Sequence, residues 1–159
     1  MKHTVAVLVE NKSGVLARIS SLFSRRGFNI QSLSVGETEN ENISRITLVV
    51  EGDQQVVEQV MKQLNKVIPV YKVSNITQDP TVSRGLAFIK VKSCEKTRSE
   101  IIQMVDVFRG EVVDVSKDSI MIEITGDEEK IEALQELLKP YGIEEMVRTG
   151  KIAMARGKK

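Results

Sequence analysis

Ile46-Thr47-Leu48-Val49-Val50-Glu51-Gly52-Asp53 opens a segment that closes at Leu64-Asn65-Lys66, and the same design returns as Ile120-Met121-Ile122-Glu123-Ile124-Thr125-Gly126-Asp127, closing at Leu138-Lys139. Alternating apolar residues mark a strand in each copy: Ile46, Leu48 and Val50 in one, Ile120, Ile122 and Ile124 in the other. A Gly-Asp step follows, and then a helical stripe, Val57, Val60 and Leu64 against Ile131, Leu134 and Leu138, at equal spacing from the glycine. Asp53 and Asp127 fall where a carboxylate can take the orphan amide hydrogens of a helix start. The chain is an internal repeat.

Working outward, both halves carry the same preceding elements. Val5 to Val9 and Leu86 to Val91 read as strands. Each leads into an amphipathic helix, with Val15, Leu16, Ile19, Leu22 and Phe23 on one stripe and Ile101, Ile102, Val105 and Phe108 on the other. Both helices are expected to stop at a left-handed glycine, in Arg26-Gly27 and Arg109-Gly110. Strands at Ile30 to Val35 and Glu111 to Val115 come next, and closing strands at Val67 to Val73 and Ile143 to Arg148. Strand-helix-strand-strand-helix-strand, twice, is an α+β chain of two tandem ferredoxin-like βαββαβ domains. The domains fall at 1–76 and 85–150, with a linker at 77–84 broken by Pro80 and a basic tail at 151–159.

This topology orders the sheet 4-1-3-2, leaving the fourth and second strands at the edges. Pro69, near the start of the fourth, suits an edge because it lacks an amide hydrogen. The second, Asn29-Ile30-Gln31-Ser32-Leu33-Ser34-Val35, carries no charge and no proline, and such an edge invites pairing. Self-pairing across a two-fold axis predicts a homodimer; cover by the second domain is the other solution.

The halves diverge between the first strand and first helix. The first half reads Glu10-Asn11-Lys12-Ser13-Gly14-Val15-Leu16, the second Lys92-Ser93-Cys94-Glu95-Lys96-Thr97 without glycine. Gly14 permits unusual dihedrals and close approach, and the amides of Val15 and Leu16 form a cradle for a carboxylate or phosphate. A plain capping turn, with Ser13 or Asn11 as cap, is the alternative. In a dimer joined through the edge strand, Asn29 of one chain faces the Gly14 turn of its neighbour. Its amide offers a donor and an acceptor to a small zwitterion. Val15, Leu16 and Ile30 supply apolar walls that sort small aliphatic side chains at about 0.8 kcal/mol per buried methylene.

Composition narrows the chemistry. The chain has 159 residues, 23 Lys and Arg against 22 Asp and Glu, and a net charge of +1, so bulk attraction to nucleic acid or an acidic membrane is not expected. Four Phe, two Tyr and no Trp leave few faces for base stacking. One cysteine, Cys94, and one histidine, His3, remove an internal disulfide and any multi-cysteine or multi-histidine metal site. No apolar run reaches the ~18 residues of a membrane span, and Val5 to Val9 is too short for a signal-peptide core. A reducing, cytoplasmic setting is expected.

The run Val7-Leu8-Val9-Glu10-Asn11-Lys12-Ser13-Gly14-Val15-Leu16-Ala17-Arg18-Ile19, with Leu22-Phe23-Ser24-Arg25-Arg26-Gly27-Phe28-Asn29-Ile30-Gln31-Ser32-Leu33, resembles the ACT domain of the small regulatory subunit of acetohydroxyacid synthase (acetolactate synthase). The likeness continues through Ser44-Arg45-Ile46-Thr47 and Gln63-Leu64-Asn65-Lys66, where many members have His in place of Asn65. In the second, ACT-like half it includes Phe108-Arg109-Gly110, Val112-Val113-Asp114-Val115 and Arg148-Thr149-Gly150, so it spans essentially the whole chain. The resemblance implies a non-catalytic subunit with no catalytic or metal-binding residues. Such a subunit binds and activates the large catalytic subunit and confers feedback inhibition by valine in branched-chain amino acid biosynthesis. Carried over by position, the effector site falls on Asn11, Gly14, Val15 and Leu16 of one chain and Asn29 and Ile30 of the other. Thiamine diphosphate, magnesium and flavin are then expected on the partner, none in this chain.

Other constellations read more plainly. His3 is expected at an exposed strand start and Cys94 in a loop or cap, too far apart in sequence for a catalytic couple. Lys12-Ser13-Gly14 lacks the remainder of a phosphate loop. Asp127-Glu128-Glu129 favours a helix start rather than a cation site. Met61 and Met104 fall on helical stripes as core filler. The tail, with Arg148, Lys151, Arg156, Lys158 and Lys159, is expected to be solvated. Two rival functions use the same fold: an amino-acid sensor acting on transcription, although no DNA-reading segment is evident, and a small hydrolase of the acylphosphatase sort.

Overall fold

The computed structural model describes residues 1–157, so Lys158 and Lys159 of the basic tail lie outside the described residues. It divides into two units, one of residues 1–82 with the segment from Gly150 onward, the other of residues 83–149. The first contains β1 (Lys2–Glu10), α1 (Val15–Arg26), β2 (Asn29–Glu37), β3 (Ile43–Glu51), α2 (Gln54–Asn65) and β4 (Val70–Asn75). Its strands lie in the order β2-β3-β1-β4, all neighbours antiparallel, as the repeat predicts. One face of this sheet carries Val5, Val7, Val9, Ile46, Leu48 and Val50. These pack against Val15, Ile19, Leu22 and Phe23 of α1 and Val57, Val60 and Leu64 of α2. Each such buried side chain contributes about 1.5–3 kcal/mol relative to exposure. Pro69 stands just before β4, where its carbonyl accepts the Glu10 N–H at 2.8 Å.

Strand β5 (Thr81–Lys92) begins at the end of the first unit, and from Ser83 the second unit repeats the pattern with the rest of β5, α3 (Arg98–Val107), β6 (Glu111–Val115), β7 (Ser119–Gly126), α4 (Glu128–Leu138) and β8 (Ile143–Arg148). The order is β6-β7-β5-β8, with Ile89, Val91, Ile101, Val105, Ile120, Ile122, Leu134 and Leu138 wholly buried. Both aspartates cap as expected: Asp53 accepts from Val56 N–H at 3.0 Å and Asp127 from Lys130 N–H at 2.8 Å. Each bond contributes about 1 kcal/mol at a helix start.

Several local readings are revised. Gly27 is the left-handed stop of α1, with φ +68°. After α3, however, Arg109 takes that conformation, with φ +57°. Gly110 has a different task there: a Cβ on it would sit 3.0 Å from the Glu123 carbonyl oxygen of β7. His3 is buried rather than exposed, because β1 begins at Lys2 and sets it opposite Val50, with Nε2 3.1 Å from the Gly52 carbonyl oxygen. Strand β5 starts at Thr81, inside the stretch read as linker.

The largest departure is the tail. Residues Ile152–Ala155 form β9. Residues 151–156 lie on the face of the first sheet away from the helices. There Ala153 packs with Ala6 and Ile76, and its carbonyl accepts from the Arg45 guanidinium at 2.7 Å. Lys151 N–H donates to Ser32 Oγ at 3.0 Å, and Arg156 N–H to the Pro80 carbonyl at 2.8 Å. Gly150 makes this approach possible, since a Cβ there would meet the Leu33 carbonyl oxygen at 2.5 Å. Charge alone hides this docking, because the anchors are a glycine, an alanine and backbone groups.

Gly150→Val therefore lifts the tail from β2, at a cost of about 1–3 kcal/mol for overpacking. Hydrogen exchange is expected to quicken across 151–156 while β1 and β3 keep their protection. Unchanged exchange in the tail contradicts the contact.

Candidate functional site

The turn between β1 and α1 is built around a residue that only glycine adopts easily. Gly14 has φ +88° and ψ −16°, and stands as the N-cap of α1 without any side-chain cap bond. Neither Ser13 nor Asn11 caps the helix, so the plain capping turn is not what forms. Within the helix, Arg18 N–H is bonded to the Gly14 carbonyl at 3.0 Å, and Val15 N–H reaches the Lys12 carbonyl at 3.4 Å. The amide of Leu16 has no partner among the described hydrogen bonds and faces outward at the positive end of the helix dipole. A Cβ built on Gly14 meets nothing within 4 Å, so the space above the turn is open.

Asn11 has another occupation. Its amide nitrogen donates to Glu37 Oε1 at 3.2 Å and to the Glu41 carbonyl at 2.8 Å, while its N–H donates to the Asn42 carbonyl at 2.8 Å. These bonds tie the Gly14 turn to the β2–β3 hairpin and leave the side-chain oxygen of Asn11 outside both of its amide contacts. Glu37, Glu41 and Asn42 were not singled out from sequence; a run of polar residues around Asn40 signals a hairpin but not which groups hold its neighbour. Lys12 lies 2.8 Å from Glu10, whose carboxylate holds the Lys12 ammonium in its charged form by raising its pKa.

Of the apolar residues expected to wall the site, Val15 is buried in the core, so it offers its backbone and not its side chain. Leu16 is 41% exposed beside the turn. Asn29 is exposed and Ile30 half-buried, the latter packed against the core edge. They stand at the far end of the same sheet. Asn29 pairs with Glu51 at one end of β3, whereas Glu10, which leads into the Gly14 turn, pairs with Ile43 at the other. Across the nine residues of β3 that separation is roughly 26 Å. One chain does not bring its own Asn29 to its own Gly14.

The equivalent turn of the second unit is closed. Cys94 N–H donates to Thr97 Oγ1 at 3.0 Å, Ser93 N–H to the Asp118 carbonyl at 2.9 Å, and Arg98 N–H to the Cys94 carbonyl at 2.9 Å. The Thr97 hydroxyl also lies 3.5 Å from Cys94 Sγ and draws the thiol below its usual pKa. In both units the first helical amide, of Val15 or Arg98, bonds back into the turn, while the second, of Leu16 or Ser99, has no partner among the described hydrogen bonds; the turns differ in the left-handed Gly14 and the Thr97 hydroxyl. Among the described residues no cluster of three His, Cys, Asp or Glu is placed to hold a metal ion, and no helix is long and apolar enough to cross a membrane.

Along its whole length the chain is similar to known proteins. Residues 5–72 match the family model described as the AHAS small subunit-like ACT domain, and residues 84–157 that of the small subunit of acetolactate synthase. A probable acetolactate synthase small subunit of Archaeoglobus fulgidus is 58% identical over 159 residues, covering 100% of this chain and 99% of the relative. The acetolactate synthase small subunit of Mycolicibacterium smegmatis is 55% identical over 155 residues, covering 98% and 91%. The crystal structure of the small subunit from Thermotoga maritima superimposes with a TM-score of 0.92 at 42% identity, over 99% of both chains.

The backbone of Gly14 generates a stability prediction of its own. Gly14→Val is expected to destabilise the first unit by about 1–2 kcal/mol through left-handed strain, and Gly14→Asn by clearly less, since Asn tolerates that region. Urea unfolding measures both; equal losses would mean that the positive φ is not maintained in solution.

Proposed function

The chain belongs to the acetolactate synthase small-subunit family, and from that premise we propose that it is the valine-responsive regulatory subunit: a homodimer that activates the large catalytic subunit and transmits feedback inhibition to it. On this reading it carries no catalytic residues, acts in the cytoplasm in branched-chain amino acid biosynthesis, and leaves thiamine diphosphate, magnesium and flavin to the large subunit.

The observation that carries the proposal is the placement of the two half-sites at opposite ends of β2. This strand runs Asn29–Glu37 at the edge of its sheet. Antiparallel self-pairing centred on Leu33 sets Asn29 of one protomer against Glu37 of its partner. Glu37 is the residue bonded to Asn11, beside the Gly14 turn. A two-fold axis thus unites what a single chain holds apart, and does so twice. Leu33 and Val35 share the helix-side face with Leu48 and Ile46, yet remain 38% and 44% exposed, an apolar margin that a second copy would cover.

Within that seam the roles divide by chemistry. The Leu16 amide, at the positive end of α1, meets the carboxylate of a free amino acid. The Asn29 carboxamide and the side-chain oxygen of Asn11 take its ammonium group. Leu16 and Ile30 line the space for a small branched side chain. A ligand gripped by both protomers favours the arrangement that brings them together, and can shift the equilibrium only by the difference of its affinities for the two states.

Reconstitution tests the proposal. Added to the purified large subunit, the wild-type chain is expected to raise acetolactate formation, and valine to lower it again. Gly14→Asp keeps the left-handed backbone within reach of its side chain but sets a negative charge against the ligand carboxylate. It is expected to activate as wild type does while losing calorimetric valine binding by tenfold or more. No change in rate on mixing removes the regulatory role; full valine sensitivity in Gly14→Asp removes the site.

A further inference from the structure

Two adjoining hollows of about 480 and 490 Å³ run along the outer side of α1 toward the end of α2. They are lined by Arg18, Arg25, Arg26 and Lys66 over an apolar floor that includes Leu22 and Val67. No carboxylate lines either one. Arg26 donates to Gln63 Oε1 at 3.2 Å. Arg18, Arg25 and Lys66 have no ion-pair partner among the described residues. In a chain with almost equal numbers of acids and bases, four cations without an acid in one groove is a marked local imbalance.

Helix dipoles explain part of the set and not all of it. Arg25 and Arg26 lie in the last turn of α1, and Lys66 at the C-cap of α2, where cations are favoured. Arg18 is only the fourth residue of α1, near the end where the dipole opposes a cation, yet it lines the same groove. Arg18 and Arg25 are two turns apart on one face, a separation of roughly 10 Å. That spacing suits carboxylates spread along a chain segment, not a single phosphate. Next to the groove Ile68 is 89% exposed, a large apolar side chain with no packing role in the folded chain.

We infer that the α1–α2 groove docks an acidic segment of the large catalytic subunit, with Arg18, Arg25, Arg26 and Lys66 pairing its carboxylates and Ile68 entering an apolar pocket beside them. This rests on the regulatory reading above and adds the surface through which it acts. The groove belongs to the helix layer, whereas the proposed dimer seam runs along β2, so both contacts can be made together. Cations rimming an open groove steer association and make it salt-dependent.

The test measures binding of the full chain to immobilised large subunit at low and high salt. Arg18→Glu/Arg25→Glu is expected to weaken binding at low salt by at least ~10-fold, or about 1.4 kcal/mol, and to flatten the salt dependence. Ile68→Ser is expected to weaken binding at both salts while leaving the melting temperature unchanged. Should the charge-reversed pair melt early, Arg18→Gln/Arg25→Gln is read in its place, with a smaller loss of the same salt signature. Wild-type binding that ignores salt, or both variants binding as wild type, overturns the groove and leaves the regulatory reading intact. Failure of the wild-type chain to bind at all removes that reading too. Inorganic tripolyphosphate at matched ionic strength supplies the last arm: saturable binding lost in the charge-reversed pair, with large-subunit binding unaffected, overturns the proposal in favour of a small anion.

Discussion

The edge position of β2 is the constraint on which the rest of this molecule turns. Edge strands present a row of unpaired backbone groups, and proteins ordinarily blunt them with charge, proline or a covering segment. Here the strand has no lysine or proline, and its only charged residue is its last, Glu37. The tail crosses the adjacent sheet face at Ser32 and Leu33. Because β2 is also the strand that begins at Asn29 and ends at the Asn11-linked Glu37, the proposed self-pairing would serve cohesion and ligand assembly at once.

The two units show how one topology is put to different uses by a single turn. Their sheets have equivalent strand orders, their second helices have equivalent aspartate caps, and their cores are filled by matching positions. The difference lies after the first strand. In one unit Gly14 takes a left-handed backbone and no side chain caps the helix. In the other, Thr97 takes a right-handed backbone and its hydroxyl accepts the Cys94 N–H.

Docking of the tail onto the first unit adds a path between regions distant in sequence. Arg45 of β3 holds the Ala153 carbonyl, and Ser32 of β2 holds the Lys151 amide. These bonds fix where Lys151 and Ala153 lie on the sheet. Two side-chain-to-backbone hydrogen bonds and one close approach that glycine permits hold it there.

Legibility followed the range of the forces involved. Periodicity exposed strands, helices and the repeat, since burial of alternate or every third and fourth residue is a local demand on sequence. Asp53 and Asp127 were readable as caps because the capping bond spans only three residues. The candidate site was readable in part: Gly14 stood out because one half has a glycine where the other has none, while Glu37, Glu41 and the buried side chain of Val15 did not. The strand order, equally, followed from a recurring topology. By itself, then, the amino-acid order determined the α+β class, the twofold repeat, the helix caps and the glycine at the cradle. Only the tertiary structure decided that His3 is buried, that Arg109 rather than Gly110 turns left-handed, that the basic tail docks through Gly150 and Ala153, and that Gly14 and Asn29 stand at opposite ends of one sheet. Those outcomes depend on which distant groups come to lie within a few ångströms of each other, and no local pattern of charge or hydrophobicity encodes that.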